Sequence, residues 1–292
     1  MSGLVHGDLN ELFSEFSFVG NIGRKGNDNV TFKQSVFKRL FNSKKIESLT
    51  LHSTNVITKD IPSRQVSSLT NLKLINVSVS MENLRIICNR LESLTELTLI
   101  GNDIDQRAGL ILANSKLKNL THLTIGNKIG SEGAEHLLTT NKLKRLKKLE
   151  FTDPIGTTFQ TDGFIEYVPL IDCSKFPDLC SFTSCRHLLS KEGIMNVLNS
   201  GISWKELTFI GCRSFDDDCI LRIGKITSIE KLCLEDYCGI PYIGFSISYE
   251  YLSSLQNLTH LEISVDNNGL LELCKIEPNN LKYFCNYVHF YH

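Results

Sequence analysis

Leu120 to Leu138 reads LTHLTIGNKIGSEGAEHLL, and its hydrophobic period changes halfway. From His122 to Gly126 the side chains alternate, Leu123 and Ile125 to one side and His122, Thr124 and Gly126 to the other, as a strand requires. From Ser131 onward Ala134, Leu137 and Leu138 recur at helical spacing, with Ser131 placed as the N-cap. Between the halves the chain must turn, and Asn127 stands at the bend, where a side-chain amide satisfies backbone groups that the turn buries. The stretch is therefore one strand, one turn and one helical return leg.

The same phrase recurs. Clear copies are LTELTLIGNDI from Leu94, LKKLEFTDPI from Leu146, WKELTFIGC from Trp204, IEKLCLEDYC from Ile229 and LTHLEISVDN from Leu258. Weaker ones begin at Ile46, Leu69, Leu179 and Leu281, which brings the total to ten. The core residue that anchors each copy falls at Leu49, Leu72, Leu97, Leu123, Leu149, Phe182, Leu207, Leu232, Leu261 and Phe284, in steps of 23, 25, 26, 26, 33, 25, 25, 29 and 23 residues. Return legs with plausible caps start at Ser80 (SMENLRIICNRL), Ser190 (SKEGIMNVL) and Asp216 (DDDCILRI).

A pattern of LxxLxLxxN/C repeated about every 25 residues resembles the leucine-rich-repeat family. The resemblance covers the chain from Ile46 to its end and implies an α/β solenoid of about ten repeats. In it a parallel sheet lines the concave side and helices the convex side, and the stack bends into a horseshoe. NKIGSEGAEHL resembles ribonuclease-inhibitor-type repeats, and CRSFDDDCILRI resembles the cysteine-containing repeats of F-box proteins. The long step around Thr157 to Lys175 and the segment Pro241 to Ser248 read as insertions projecting beside the binding surface.

Composition narrows the function classes. The 292 residues carry 31 basic and 32 acidic side chains, so a nucleic-acid backbone is a poor partner. The N-terminus shows no basic segment leading into an apolar core, and no window approaches a membrane span, which predicts a cytosolic or nuclear protein without a membrane partner. Ten cysteines in such a chain are expected to be reduced thiols. Of four sequons, Asn29, Asn76, Asn119 and Asn257, the NLT pair at Asn119 and Asn257 is a by-product of the repeated phrase NLTHL and is expected to stay unglycosylated.

Strand register assigns the display face. Its first row is Ser48, Asn71, Glu96, His122, Lys148, Ser181, Glu206, Lys231, His260, Tyr283. The central row is Thr50, Lys73, Thr98, Thr124, Glu150, Thr183, Thr208, Cys233, Glu262, Cys285. The third is His52, Ile75, Ile100, Gly126, Thr152, Cys185, Ile210, Glu235, Ser264, Tyr287. Three isoleucines, Ile75, Ile100 and Ile210, stand where water is expected, in a field of mixed charge that suits a protein ligand. The candidate partner-binding residues are Ile75, Ile100, Ile210, Thr98, His122, Thr124, Lys148, Glu150, Glu206, Lys231 and Glu235.

Signals for chemistry are weak. Cys173, Cys180, Cys185 and His187 lack the paired spacing of a structural zinc site. The glycines of Gly20–Gly26 lack the phosphate-loop pattern, and the basic run Lys142–Lys148 reads as a solvated face. Cys212 and Cys238 sit at turn positions as repeat cysteines. Arg213 alone does not make an arginine finger. No catalytic, metal or cofactor residue is assigned, and a non-enzymatic protein-binding scaffold is the expected function.

Residues 1–45 fall outside the repeat. DLNELFSEFSFVG and TFKQSVFKRLF read as two short amphipathic helices forming an N-terminal cap. Leu9, Leu12, Phe13, Phe16 and Phe18 also resemble the opening helix of an F-box, which implies a substrate receptor of a cullin-type ubiquitin ligase, with the adaptor docked there. No Pro or Trp completes that motif. At the other end LKYFCNYVHFYH predicts either a final strand covered by Tyr287, Phe290 and Tyr291, leaving a monomer, or an edge open to dimerisation.

Overall fold

The computed structural model describes residues 14–19, 45–53, 68–126, 128–152, 165, 167–185, 189–212, 214–235, 249–265, 267–274 and 280–286. One parallel sheet of eleven strands runs through them, each strand pairing with the next in chain order. The strands are β1 (Glu15–Val19), β2 (Ser48–His52), β3 (Asn71–Ile75), β4 (Glu96–Ile100), β5 (His122–Gly126), β6 (Lys148–Phe151), β7 (Ser181–Cys185), β8 (Glu206–Ile210), β9 (Lys231–Glu235), β10 (His260–Ile263) and β11 (Tyr283–Asn286). Return legs carry α1 (Met81–Arg90), α2 (Arg107–Ala113), α3 (Gly130–Thr139), α4 (Lys191–Leu198), α5 (Asp217–Gly224) and α6 (Asn267–Cys274), with a 3-10 turn at Tyr249–Ser254. This is the α/β strand-and-helix solenoid that the period predicts.

The core lies between sheet and helices. Alternate strand residues such as Leu49, Leu51, Leu72, Leu74, Leu97 and Leu99 are fully buried, and Leu84, Ile87 and Cys88 of α1 meet them from the helical side. Burial of this kind stabilises by about 25 cal/mol per Å² of apolar surface, which is why one apolar stripe per repeat suffices to stack it on its neighbours. Helices α2 and α3 pack closely because two glycines face each other. A Cβ on Gly109 would lie 1.9 Å from the Gly133 carbonyl oxygen.

Polar side chains tie successive repeats together. The hydroxyls of Thr70, Thr95, Thr121 and Thr259 each donate to a carbonyl of the preceding repeat, at 3.1, 3.2, 3.0 and 3.0 Å. Asn119 and Asn257 of the NLTHL phrases do likewise through Nδ2, to the Glu92 and Thr227 carbonyls at 3.2 and 2.8 Å. Asn102, at the corresponding turn of the preceding repeat LTELTLIGNDI, plays the part expected of Asn127, accepting from the Val77 and Val79 amides at 3.1 and 3.2 Å and donating to the Leu74 and Ile100 carbonyls at 2.9 and 3.1 Å. Asn127 lies outside the described residues. The caps expected at Ser80, Ser190 and Asp216 are present, each accepting from the amide three residues on.

Three expectations need correction. Glu15–Val19 is a strand, not part of a helix, and pairs in register with β2, so the sheet begins one strand before the first recognisable repeat. Phe16 and Phe18 consequently pack against the core as alternate strand residues, while Leu9, Leu12 and Phe13 lie outside the described residues. Ser131 does not cap α3. Ile129 occupies that place without a side-chain bond, and Ser131 Oγ instead accepts from the Tyr167 amide at 3.0 Å. Finally, the described part of the long step before β7 does not project. Ile165, Val168, Ile171 and Phe176 are buried, and Asn196 Nδ2 donates to the Val168 carbonyl at 3.0 Å. The segments 153–164 and 236–248 lie outside the described residues.

Candidate functional site: the open face of the sheet

Opposite the helices, every second strand residue faces outward, and the register unites these residues into the first two rows the repeat predicts; in the third, Thr152 and Ser264 fall beyond the strand ends and Ser264 is buried. Ser48, Asn71, Glu96, His122, Lys148, Ser181, Glu206, Lys231, His260 and Tyr283 are consecutive Cα partners. To these the structure adds Glu15, Ser17 and Val19 of β1. Alternating Phe16 and Phe18 are the sequence signal that would have found them.

The predicted isoleucines do not form one patch. Ile75 and Ile100 are direct partners on β3 and β4, and Gly126 continues their row on β5. A Cβ on Gly126 would sit 3.0 Å from both Cγ atoms of Ile100, so the missing side chain lets Ile100 lie over the next strand. The result is a half-buried apolar shelf. Ile210 stands on β8 between Cys185 and Glu235, about 19 Å from Ile100 at the usual strand spacing.

Charges on the face are largely paired in its second half. Lys148 Nζ lies 2.8 Å from Glu150, which also accepts from Thr124 Oγ1 at 2.6 Å. Lys231 Nζ lies 2.8 Å from Glu206, which also accepts from Ser181 Oγ at 3.2 Å. The hydrogen bond from Lys231 holds the Glu206 carboxyl below its ordinary range against the opposing effect of burial. Thr98 stands between Lys73 and Thr124 in the central row. Glu235 and Glu262 flank Cys233, whose thiol is pushed far up, first by burial and then by these carboxylates. A thiol so shifted is not a nucleophile at neutral pH.

No catalytic constellation assembles from these parts. His122 and His260 each bond a neighbouring threonine hydroxyl through Nδ1, at 2.9 and 2.8 Å. They stand five strands apart, about 24 Å. Among the described residues no group of three or more His, Cys, Asp or Glu is placed to hold a metal ion. Cys212 is buried, and Cys180 Sγ lies 3.7 Å from the Lys147 carbonyl. His187, Arg213, Cys238, Tyr287 and the Gly20–Gly26 loop lie outside the described residues, and no described helix is long and apolar enough to cross a membrane.

No protein-family model matches the chain, and neither does any curated protein. Among solved structures it is similar to a chain of the Toll–Spatzle complex, described as a molecular hub in Drosophila development and innate immunity, with 13% identity and a TM-score of 0.50. The match covers 81% of this chain and 30% of that one. At that identity the likeness shows the fold alone, and the fold is a leucine-rich-repeat solenoid.

Proposed function

We propose that this protein is a non-enzymatic scaffold that holds a protein partner on the open face of its sheet, with repeats of the ribonuclease-inhibitor kind. The observation that carries the reading is the Ile75–Ile100 shelf, an apolar surface set among polar rows on the face opposite the described helices. Half-buried apolar residues ringed by polar ones are the anatomy of a protein interface, and mixed, mostly paired charge favours a protein over a phosphate backbone. Residues 1–45 act as a capping segment for the solenoid of residues 46–292, with β1 closing the first repeat. Cys88 packs as a small apolar side chain and Cys219 is buried beside Asp216, their thiols pushed up chiefly by burial to about 12 and about 11, which suits a reducing compartment such as cytosol or nucleus. No described feature favours a ligase adaptor as partner.

A photoreactive residue at Thr98, compared with one at the exposed helical Glu135, tests the reading in native lysate. Protein adducts from Thr98 that Ile100→Asp abolishes are expected. Adducts from Glu135 alone would move the site to the helical side. Ile210→Asp, tested separately, reports whether the interface extends to β8.

A further inference from the structure

Pairing divides the open face. Lys148 and Lys231 each have a carboxylate at 2.8 Å, so their charges are compensated within the sheet. Lys73 is exposed, flanked in register by Thr50 and Thr98, and makes no ion pair or side-chain hydrogen bond among the described residues. On the neighbouring strand the Glu96 carboxylate is also without an ion pair among the described residues. Read along β3 and β4 from strand start to strand end, the three rows present an anion at Glu96, a cation at Lys73 and the apolar shelf of Ile75 and Ile100.

Successive rows are two residues apart, about 6.6 Å along the strands, and an extended chain repeats its side chains on one face at the same interval. A helix, advancing about 5.4 Å per turn, is out of step by about 2 Å after two rows. We propose that this part of the face takes an extended segment of the partner, laid along β3 and β4, whose alternate side chains are basic over Glu96, acidic over Lys73 and aliphatic on the shelf. The pattern is basic–x–acidic–x–aliphatic for a segment parallel to the strands, and the reverse for an antiparallel one. The inference rests on the protein-binding reading above and specifies its ligand.

The test selects phage-displayed random dodecapeptides on the full chain. Enrichment of that pattern is expected, and a synthetic enriched peptide should bind the charge-exchanged variant Lys73→Glu/Glu96→Lys at least about tenfold more weakly. Reselection on that variant should enrich acidic–x–basic–x–aliphatic. Peptides indifferent to the exchange but lost with Ile100→Asp overturn the inference and leave the protein-binding reading standing. Peptides indifferent to both changes overturn the two together. Failure to enrich any peptide overturns the inference, and the Thr98 crosslinks then decide the reading alone. Circular dichroism establishes that each variant folds, and Ile100→Thr, which keeps a β-branched side chain, replaces Ile100→Asp if it does not.

Discussion

Asn102 shows how much one side chain does in a repeat turn. Its amide serves four backbone groups, two amides and two carbonyls, that the turn removes from water. Asn102→Ala leaves them unpaired and should lower stability by about 2–4 kcal/mol in urea unfolding, whereas a loss under about 1 kcal/mol would show that the turn re-satisfies itself. Ser184 is the opposite case. It stands between Phe151 and Phe209 at a core position of β7, and its buried hydroxyl has no hydrogen-bond partner among the described residues. Ser184→Ala should therefore raise the thermal midpoint or leave it unchanged, a gain of up to about 1 kcal/mol, and a clear loss would reveal a bond the hydroxyl makes. Asn102 was legible from sequence because a tight turn with buried backbone demands an amide at that step. Ser184 was not, because alternation marks its site as apolar and only the packed aromatics around it show the hydroxyl stranded.

Among elements, the Lys231–Glu206 pair joins β9 to β8 and carries a pH signature. Because the Glu206 carboxyl is held below its ordinary range, the native state binds fewer protons than the unfolded chain in mild acid. The resulting stabilisation is complete above the ordinary Glu value of about 4.3 and is lost as pH falls toward the lowered native value. Lys231→Met should flatten the fall in urea midpoint between about pH 5 and pH 3, and an unchanged slope would assign the acid sensitivity to other carboxylates. The effect is small because both partners are partly solvated. Strands were read correctly wherever the 25-residue step recurred, and the element was read wrongly at β1. EFSFV alternates at a strand's period, but within the longer DLNELFSEFSFVG the apolar residues also fit a helix, and pairing with β2 decides between them. Ser131 failed as a cap because α3 already begins at Gly130, which leaves its hydroxyl to accept from the Tyr167 amide, thirty-six residues away.

At the scale of the molecule, Phe182 occupies the middle of the stack. Its ring lies 6.0 Å from Phe151, 6.1 Å from Trp204 and 5.9 Å from Phe209, tying β6, β7 and β8 into one aromatic layer. Phe182→Ala should cost about 3–5 kcal/mol. Because each repeat touches only its neighbours, hydrogen exchange should quicken in β7 and β8 while β2 to β5 keep their protection; uniform quickening would mean that the solenoid opens as a single unit. Sequence by itself determined the repeat, the alternation along the strands and the first two display rows from Ser48 onward, whereas in the third row Thr152 and Ser264 fall beyond the strand ends and Ser264 is buried. Those properties follow from backbone geometry that any single repeat contains. Only the tertiary structure decided which display residues meet. Ile75 and Ile100 share a shelf from which Ile210 is remote, and Lys148 and Lys231 are neutralised while Lys73 is not. The reason is physical: those outcomes depend on the reach and rotamers of side chains brought together by stacking, and on a neighbour such as Gly126 that makes room.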